Sequence, residues 1–323
     1  MRPSFLRAAF FVAGLAVAAA APAVPAAAED MTDATGRSVA VPAAPQRIVV
    51  MHESLIGLPV MDLGLSVVGS YGRGSDGETL LAVDMIDAVL GGTDAPKPRG
   101  IGAIGAIDLE ALRALRPDLV IGTERDRDKA EQLAKVAPVY LQAIAGAHGF
   151  GIEADLAAVL GREEAFAARR AEYAARIDAV RSVLDTDPAG KTYLAVIVHD
   201  EVNVVGALSG AVQALEDLGY TRAPLPGAKA GAGYGSMFAM PLSPEVFAAL
   251  DPDLLVVMNS YALRDRSPEA IRASLGAIVP GWERFLAPAR EGRLLMLDSA
   301  RVSSPTVASA LNTLDAYAAW AAK

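Results

Sequence analysis

The sequence predicts an α/β protein of two lobes, each built on a mainly parallel sheet, joined by a single long helix. Three observations predict it: a repeated helix–strand unit, helical and strand-like segments alternating on both sides of the midpoint, and a long helical stretch between the two halves. In the repeat, Glu110-Ala-Leu-Arg-Ala-Leu-Arg-Pro-Asp-Leu-Val-Ile121 and Glu245-Val-Phe-Ala-Ala-Leu-Asp-Pro-Asp-Leu-Leu-Val256 match at six of twelve positions without a gap, 135 residues apart. Each copy opens on a capping signal, Asp108 in one and Ser243-Pro244 in the other. Each helix must stop before Pro-Asp, because the residue ahead of a proline disfavours helical backbone. Each then enters a continuous apolar run, the pattern of a parallel strand buried on both faces.

The elements follow in chain order. Arg2 and Arg7 precede an uncharged stretch from Ala8 to Ala20, and small residues then lead to Ala26-Ala27-Ala28. This is the layout of a cleavable export signal over residues 1–28. The apolar run is too short and too rich in alanine to be expected to span a bilayer. The chain has no cysteine, which excludes a disulfide framework, a thiolate metal site, a cysteine nucleophile and a lipid-modified cysteine. A periplasmic protein is expected. Arg2 and Arg7 are the only charges ahead of Glu29, so a formal charge of −9 becomes still more acidic when they are removed. An acidic chain is expected to bind neither nucleic acid nor an anionic membrane as its main partner.

A first lobe is expected over 29–161. Arg47–Met51 reads as a strand, Ser54–Leu63 as a helix and Ser66–Ser70 as a strand. Helices near Asp76–Leu90 and Arg127–Val136 alternate with strands at Leu119–Gly122 and Val139–Leu141. The joining helix is expected over 162–187, because Arg162–Leu184 is rich in Ala, Glu and Arg and free of Gly and Pro, with Gly161 before it and Asp187-Pro188 after it. At the rise of an α-helix it would be about 34 Å long, a stiff strut rather than a flexible linker. A second lobe, 188–323, is expected to hold strands at Thr192–Val198, Val202–Val205, Leu254–Met258 and Leu294–Leu297, with Pro305–Ala322 closing the chain as a helix. Both lobes are Rossmann-like in this alternation, with a ligand cleft expected between them.

The order and spacing of these segments resemble one family over nearly the whole chain after the signal. The motifs that carry the resemblance are Asp33-Ala-Thr-Gly-Arg-Ser-Val-Ala-Val-Pro42 with Pro45-Gln-Arg-Ile-Val-Val50, Ile107-Asp-Leu-Glu110 with Arg116-Pro-Asp-Leu-Val-Ile121, and Ala137-Pro-Val-Tyr140. Leu242-Ser-Pro-Glu245, Trp282-Glu-Arg-Phe-Leu-Ala287 and Gly292-Arg-Leu-Leu-Met-Leu297 complete the set. Together they are similar to the helical-backbone class of binding proteins of ABC importers, in the ferric-siderophore and vitamin B12 group. The resemblance implies a monomeric periplasmic protein that closes little around its ligand. It also implies an inner-membrane permease dimer with its ATPase as the partner. Glu110 and Glu245, which hold equivalent places in the repeat, match the family's positions for docking into permease arginine pockets. A carboxylate and a guanidinium can make a bidentate, charge-assisted contact of that kind.

In open α/β sheets ligands bind beyond the carboxyl ends of the strands. The loops there offer Tyr71, Arg73 and Arg125 in the first lobe, and Tyr234, Met237, Tyr261 and Arg301 in the second. Several arginines favour an anionic ligand, since guanidinium groups suit carboxylates. The resemblance implies an Fe(III)–siderophore complex as the ligand, and the arginines lean it toward a carboxylate-type chelate or ferric citrate. Haem, with Tyr71 or Tyr234 on the iron, and cobalamin are the alternatives within the family. In a siderophore complex the chelator supplies the iron ligands, so no cofactor and no metal site of the protein's own is expected. His52, His148 and His199 are the only histidines and share no ligand spacing. Gly100-Ile-Gly102-Ala-Ile-Gly105 fits the Gly-x-Gly-x-x-Gly pattern, but Ala95-Pro-Lys-Pro-Arg99 stands where the required strand belongs, so a mobile loop near the cleft is expected instead. A secreted hydrolase is the competing class. It would need a positioned nucleophile and base, and no Gly-x-Ser-x-Gly elbow occurs.

Overall fold

A computed structural model describes residues 28–92, 96–103, 105–226 and 239–323. Among these, the chain opens on an antiparallel pair, β1 (Ala28–Thr32) and β2 (Ser38–Pro42). The first sheet follows: β3 (Ile48–Val50), α1 (Leu58–Asp62, entered through a π-helical turn at Glu53–Gly57), β4 (Val67–Ser70), α2 (Met85–Leu90) and β5 (Arg99–Gly100). Then come the small strands β6 (Gly102–Ala103) and β7 (Ala106–Ile107), α3 (Leu109–Ala114), β8 (Leu119–Thr123), α4 (Ala130–Leu133) and β9 (Val139–Gln142). The sheet runs β5-β4-β3-β8-β9, and every pairing in it is parallel.

Two helices lead out of this lobe, α5 (Gly151–Val159) and α6 (Glu163–Ser182). The second lobe contains β10 (Thr192–Val198), β11 (Val202–Val205), α7 (Gly210–Leu218), β12 (Thr221–Arg222), β13 (Ala239–Leu242), α8 (Pro244–Ala249) and β14 (Leu254–Asn259). It ends with α9 (Pro268–Ile278), α10 (Trp282–Phe285), α11 (Ala287–Arg290), β15 (Leu294–Leu297), α12 (Ser299–Val302) and α13 (Val307–Ala321). Its sheet runs β13-β11-β10-β14-β15, with β12 also paired to β10. β10, β14 and β15 are parallel, while β11 and β13 add an antiparallel edge.

The repeat seen in the sequence is a repeat in space. α3–β8 places β8 between β3 and β9, and α8–β14 places β14 between β10 and β15. The continuous apolar runs are explained by burial on both faces. Ile48 and Val50 of β3 face one core cluster while Val49 and Met51 face another. In the second lobe Leu254, Val256 and Met258 point to one side of the sheet, Leu255 and Val257 to the other. Successive strand residues alternate faces, so an all-apolar strand needs helices on both sides. Each such fully buried aliphatic side chain contributes about 1.5–3 kcal/mol.

The joining helix belongs on one face to the second lobe. Tyr173, Ile177 and Val180, at helical spacing, enter that lobe's core beside Phe150. Tyr173 Oη donates to Asp217 Oδ2 at 2.9 Å, Arg181 Nη2 donates to the Asp217 carbonyl at 2.7 Å, and Arg176 pairs with Asp315. These bonds anchor α6 to the second lobe, while Phe166 near its start also packs against the first-lobe core.

Two expectations are corrected. The helix expected from Asp76 begins only at Met85, where Asp84 caps it by accepting from Ile86 N and Asp87 N. The residues before it wrap around the Arg73 side chain, and Gly72 and Gly77 take positive φ there. The Gly100–Gly105 stretch expected to be a mobile loop instead supplies β5 to the first sheet and the β6–β7 hairpin. Its glycines answer to packing: a Cβ on Gly100 would sit 1.9 Å from the Arg73 carbonyl oxygen, and one on Gly102 would sit 2.2 Å from that of Ala106. The export signal expected over 1–28 lies outside the described residues except for Ala28, and no described helix is long and apolar enough to cross a membrane.

Candidate binding site between the lobes

The carboxyl ends of the two sheets meet. The segment after β15 reaches the segment after β3, where Ser304 Oγ donates to the Ser54 carbonyl at 2.7 Å. Below that contact α12 and α13 pack on α1 and α2 through Leu58, Met85, Ile86, Val89, Ala300 and Ala308. Other loops leave the carboxyl ends of the same two sheets.

On the first-lobe side a short polar network holds these loops in place. His52 Nε2 lies 3.0 Å from Asp126 Oδ2, and the same carboxylate accepts from Thr123 N at 3.0 Å and pairs with Lys129. Thr123 and Asp126 form a reciprocal capping box that starts a 3₁₀ turn, Glu124–Lys129. This turn replaces the beginning of the helix expected over Arg127–Val136. Burial alone would raise the Asp126 carboxyl, but the bonds from His52 and Thr123 N outweigh it and hold the group well below the usual carboxylate range. Glu124 accepts from Ile144 N at 2.9 Å and Ala145 N at 2.7 Å, tying the loop after β9 to the same turn.

Tyr71 lies beside this network. Its ring is in the core, and its buried hydroxyl has no hydrogen-bond partner among the described residues. Burial, followed by the Asp126 and Asp128 carboxylates, pushes the phenol up to about 12. The group is a neutral donor at physiological pH. Arg125 is exposed on the 3₁₀ turn, with its amide donating to Thr123 Oγ1 at 3.3 Å. The sequence-expected first-lobe pair of Tyr71 and Arg125 is thus brought to one strand-end cluster, together with His52.

Arg73 is not available to a ligand. Nε and Nη2 donate to the two oxygens of Glu53 at 2.5 and 2.9 Å, Nη1 and Nη2 donate to Asp84 at 3.0 and 2.8 Å, and Nη1 also donates to the Gly77 carbonyl at 2.8 Å. A guanidinium has five N–H donors, and all are used. Its side chain is 1% exposed, so the knot is sealed from solvent. Burial raises the Glu53 carboxyl despite Arg73, whereas in Asp84 the bonds from Arg73 and Lys97 overcome burial and hold it at about 2.

On the second-lobe side Tyr261 stands 50% exposed just beyond β14. Asn259 fixes its loop by donating to the Asp265 carbonyl at 2.7 Å, and Ser260 N donates to the Val198 carbonyl at 2.9 Å. Arg301 is placed elsewhere, on α12 in a surface depression of about 310 Å³ shared with Asp298, Asn312 and Asp315, with Nη2 3.3 Å from Asn312 Oδ1. Tyr234 and Met237 lie outside the described residues. Sequence reasoning missed Leu80 and Leu81, which are 66% and 40% exposed on the loop after β4. The signal for them was an apolar pair in a stretch of Gly, Ser and Asp that a helical reading disguised. No described group of three or more His, Asp or Glu side chains is placed to hold a metal ion.

Glu110 and Glu245 are both exposed, each at the second position of its helix. Asp108 accepts from Glu110 N at 2.9 Å, and the Glu110 carboxylate pairs with Arg113 at 2.6 Å. Ser243 plays the capping part at the second site, accepting from Val246 N at 3.3 Å. Hydrogen bonds from its own backbone and from Ser243 lower the Glu245 carboxyl.

Comparison with known proteins places this architecture. No curated protein matches the chain significantly in sequence. Among solved structures it is similar to SirA of Staphylococcus aureus complexed with staphyloferrin B, at 18% identity and a TM-score of 0.66 over 89% of this chain and 96% of that one. It is also similar to the triscatecholate siderophore-binding protein FeuA of Bacillus subtilis, complexed with ferri-bacillibactin, at 15% identity and a TM-score of 0.66 over 91% and 98%. A siderophore periplasmic binding protein from Thermobifida fusca shares 23% identity and a TM-score of 0.60 over 87% and 98%. At these identities the likeness shows a common fold. The family model described as periplasmic binding protein matches residues 77–299, from the loop after β4 to the start of α12. With that match over most of its length and a two-lobed fold to accompany it, this chain belongs to the periplasmic binding protein family.

Proposed function

We propose that this protein is the extracytoplasmic binding component of an ABC importer, that it captures a ferric siderophore between its lobes, and that it hands the complex to an inner-membrane permease. The observation that carries the reading is the meeting of strand carboxyl ends from two lobes in a fold whose solved relatives, SirA and FeuA, are described with siderophores bound. The family is one of binding proteins rather than enzymes.

Within this reading Arg125 and Tyr261 contact the chelate from opposite lobes, Tyr234 and Met237 join them, and Tyr71 offers a buried hydroxyl. Arg73 drops out, since its donors are spent, and Arg301 is set aside on α12. The lean toward a carboxylate-type chelate or ferric citrate then rests on fewer cations than the sequence promised. Glu110 and Glu245 are the docking carboxylates.

Thermal unfolding of the mature protein against ferric siderophores, ferric citrate, haem and cobalamin tests the proposal. A ligand that binds only the native state adds about 2.7 kcal/mol at a hundredfold excess over its dissociation constant. That corresponds to a midpoint rise on the order of 5–10 °C for a chain of this size. The expected result is such a rise with one ferric chelate and none with its iron-free form. A rise with haem or cobalamin alone would replace the ligand, and no rise with any of them would remove the iron-transport reading.

A further inference from the structure

The two lobes share more than the strut. α13 of the second lobe begins against the first lobe, and two first-lobe carboxylates close on its first amides. Glu153 Oε2 of α5 accepts from Val307 N at 2.8 Å, and Asp62 Oδ2 of α1 accepts from Ala308 N at 2.9 Å. Thr306 caps the same end by accepting from Ser309 N at 3.1 Å. We propose that Glu153 and Asp62 share one proton, and that this proton-bridged pair clamps the first lobe to the start of α13 so that the set of the lobes responds to pH.

The geometry argues for a proton rather than two charges. Glu153 is completely buried, and its second oxygen, Oε1, has no donor among the described residues. Consecutive amides, Val307 N and Ala308 N, hold the Glu153 and Asp62 carboxylates side by side, and two ionised carboxylates so placed repel each other. Positive charge is scarce there. From α6 the pair meets Arg169, whose Nη2 reaches Asp62 Oδ1 at 2.8 Å, but the same guanidinium also pairs with Glu172. From α13 it meets the two amides, Val307 N and Ala308 N. A helix amino end favours negative charge, but its partial charge is about half a unit. One proton in the pair leaves a single negative charge for Arg169 and the helix end to balance.

Burial, then the Asp62 carboxylate, raise Glu153 well above the ordinary glutamate value of 4.5. The sign follows by linkage: the folded protein keeps a proton that the unfolded chain releases, so the clamp contributes fully below the ordinary value and loses its contribution as pH rises through the folded one. Ionising Glu153 would place two negative charges against each other at the contact between the lobes.

Glu153→Gln is the direct test, because the amide keeps the acceptor for Val307 N and supplies permanently the donor that the proton supplies. Infrared spectra of the wild type at neutral pH are expected to show a protonated carboxyl that Glu153→Gln lacks. The variant's unfolding midpoint is expected to exceed that of the wild type at about pH 8 by on the order of 3 °C and to lose the wild type's decline with pH. The chain has no cysteine, so spin labels at Lys135→Cys and Glu269→Cys, exposed on opposite lobes, report the lobe separation without background. Their distance distribution is expected to change from acid to alkaline pH in the otherwise wild-type protein and to hold still when Glu153→Gln is added. Absence of a protonated carboxyl in the wild type would overturn the shared proton, whether or not the variant folds. A pH-independent distance in the wild type would overturn the clamp.

Discussion

Arg73→Ala is expected to destabilise the protein by about 3–5 kcal/mol, the usual cost of removing one partner from a buried ion pair. The cost arises from what is left behind. Glu53 and Asp84 would face each other in a site that Arg73 now seals, with Lys97 as the remaining cation beside Asp84. The pH dependence distinguishes this cause from lost packing. Asp84 is held at about 2, below its ordinary 3.8, so its contribution is present above the ordinary value and is lost as pH falls through the depressed one. In the variant both carboxyls gain by taking up protons, so the deficit should be largest near neutrality and narrow toward about pH 4. Denaturant unfolding followed by circular dichroism measures it. A loss below about 1 kcal/mol, or a variant of normal stability that no longer binds its chelate, would return Arg73 to the ligand.

Reversing both docking charges, Glu110→Arg with Glu245→Arg, is expected to abolish uptake while the dissociation constant for the chelate changes less than about twofold. Both carboxylates are on the surface at helix starts, and among the described residues only Glu110 has an ion-pair partner, Arg113, so neither reaches the cleft. Charged pairs at an interface set docking and cost several kcal/mol when like charges are opposed. Single reversals should weaken uptake less than the double one, because each lobe would contribute one contact. Uptake of the iron-loaded chelate into whole cells or permease-containing vesicles, beside a binding isotherm on the same variants, measures both halves. Loss of affinity with loss of uptake would mean that the two glutamates serve the fold or the cleft.

Much of the architecture was legible because burial writes a clear pattern. Leu254–Met258 and Leu119–Gly122 are apolar at every position, and a strand covered on both faces demands that. The strut was legible from the absence of Gly and Pro between Gly161 and Asp187. The antiparallel edge made by β11 and β13 was not foreseen, although the short His199-Asp200-Glu201 connection between the strands leaves no room for a parallel crossover and demands a hairpin. The site was harder. Arg73 looked like a ligand cation because nothing local in the sequence pairs it with Glu53, 20 residues upstream, or Asp84, 11 residues downstream. Arg301 sits in the loop that topology points to, but α12 turns it toward Asn312. The carboxylate pair at the lobe contact was invisible for the same reason: Asp62, Glu153 and Val307 meet only once both lobes have folded.

The most direct test of the central claim is an equilibrium titration of the mature protein with an isotopically labelled ferric chelate, set beside the same chelator without iron. The account predicts saturable binding of one ferric chelate, weak or no binding of the iron-free form, and release of the chelate chemically unchanged. Binding of both forms alike, or recovery of a cleaved product, would contradict it.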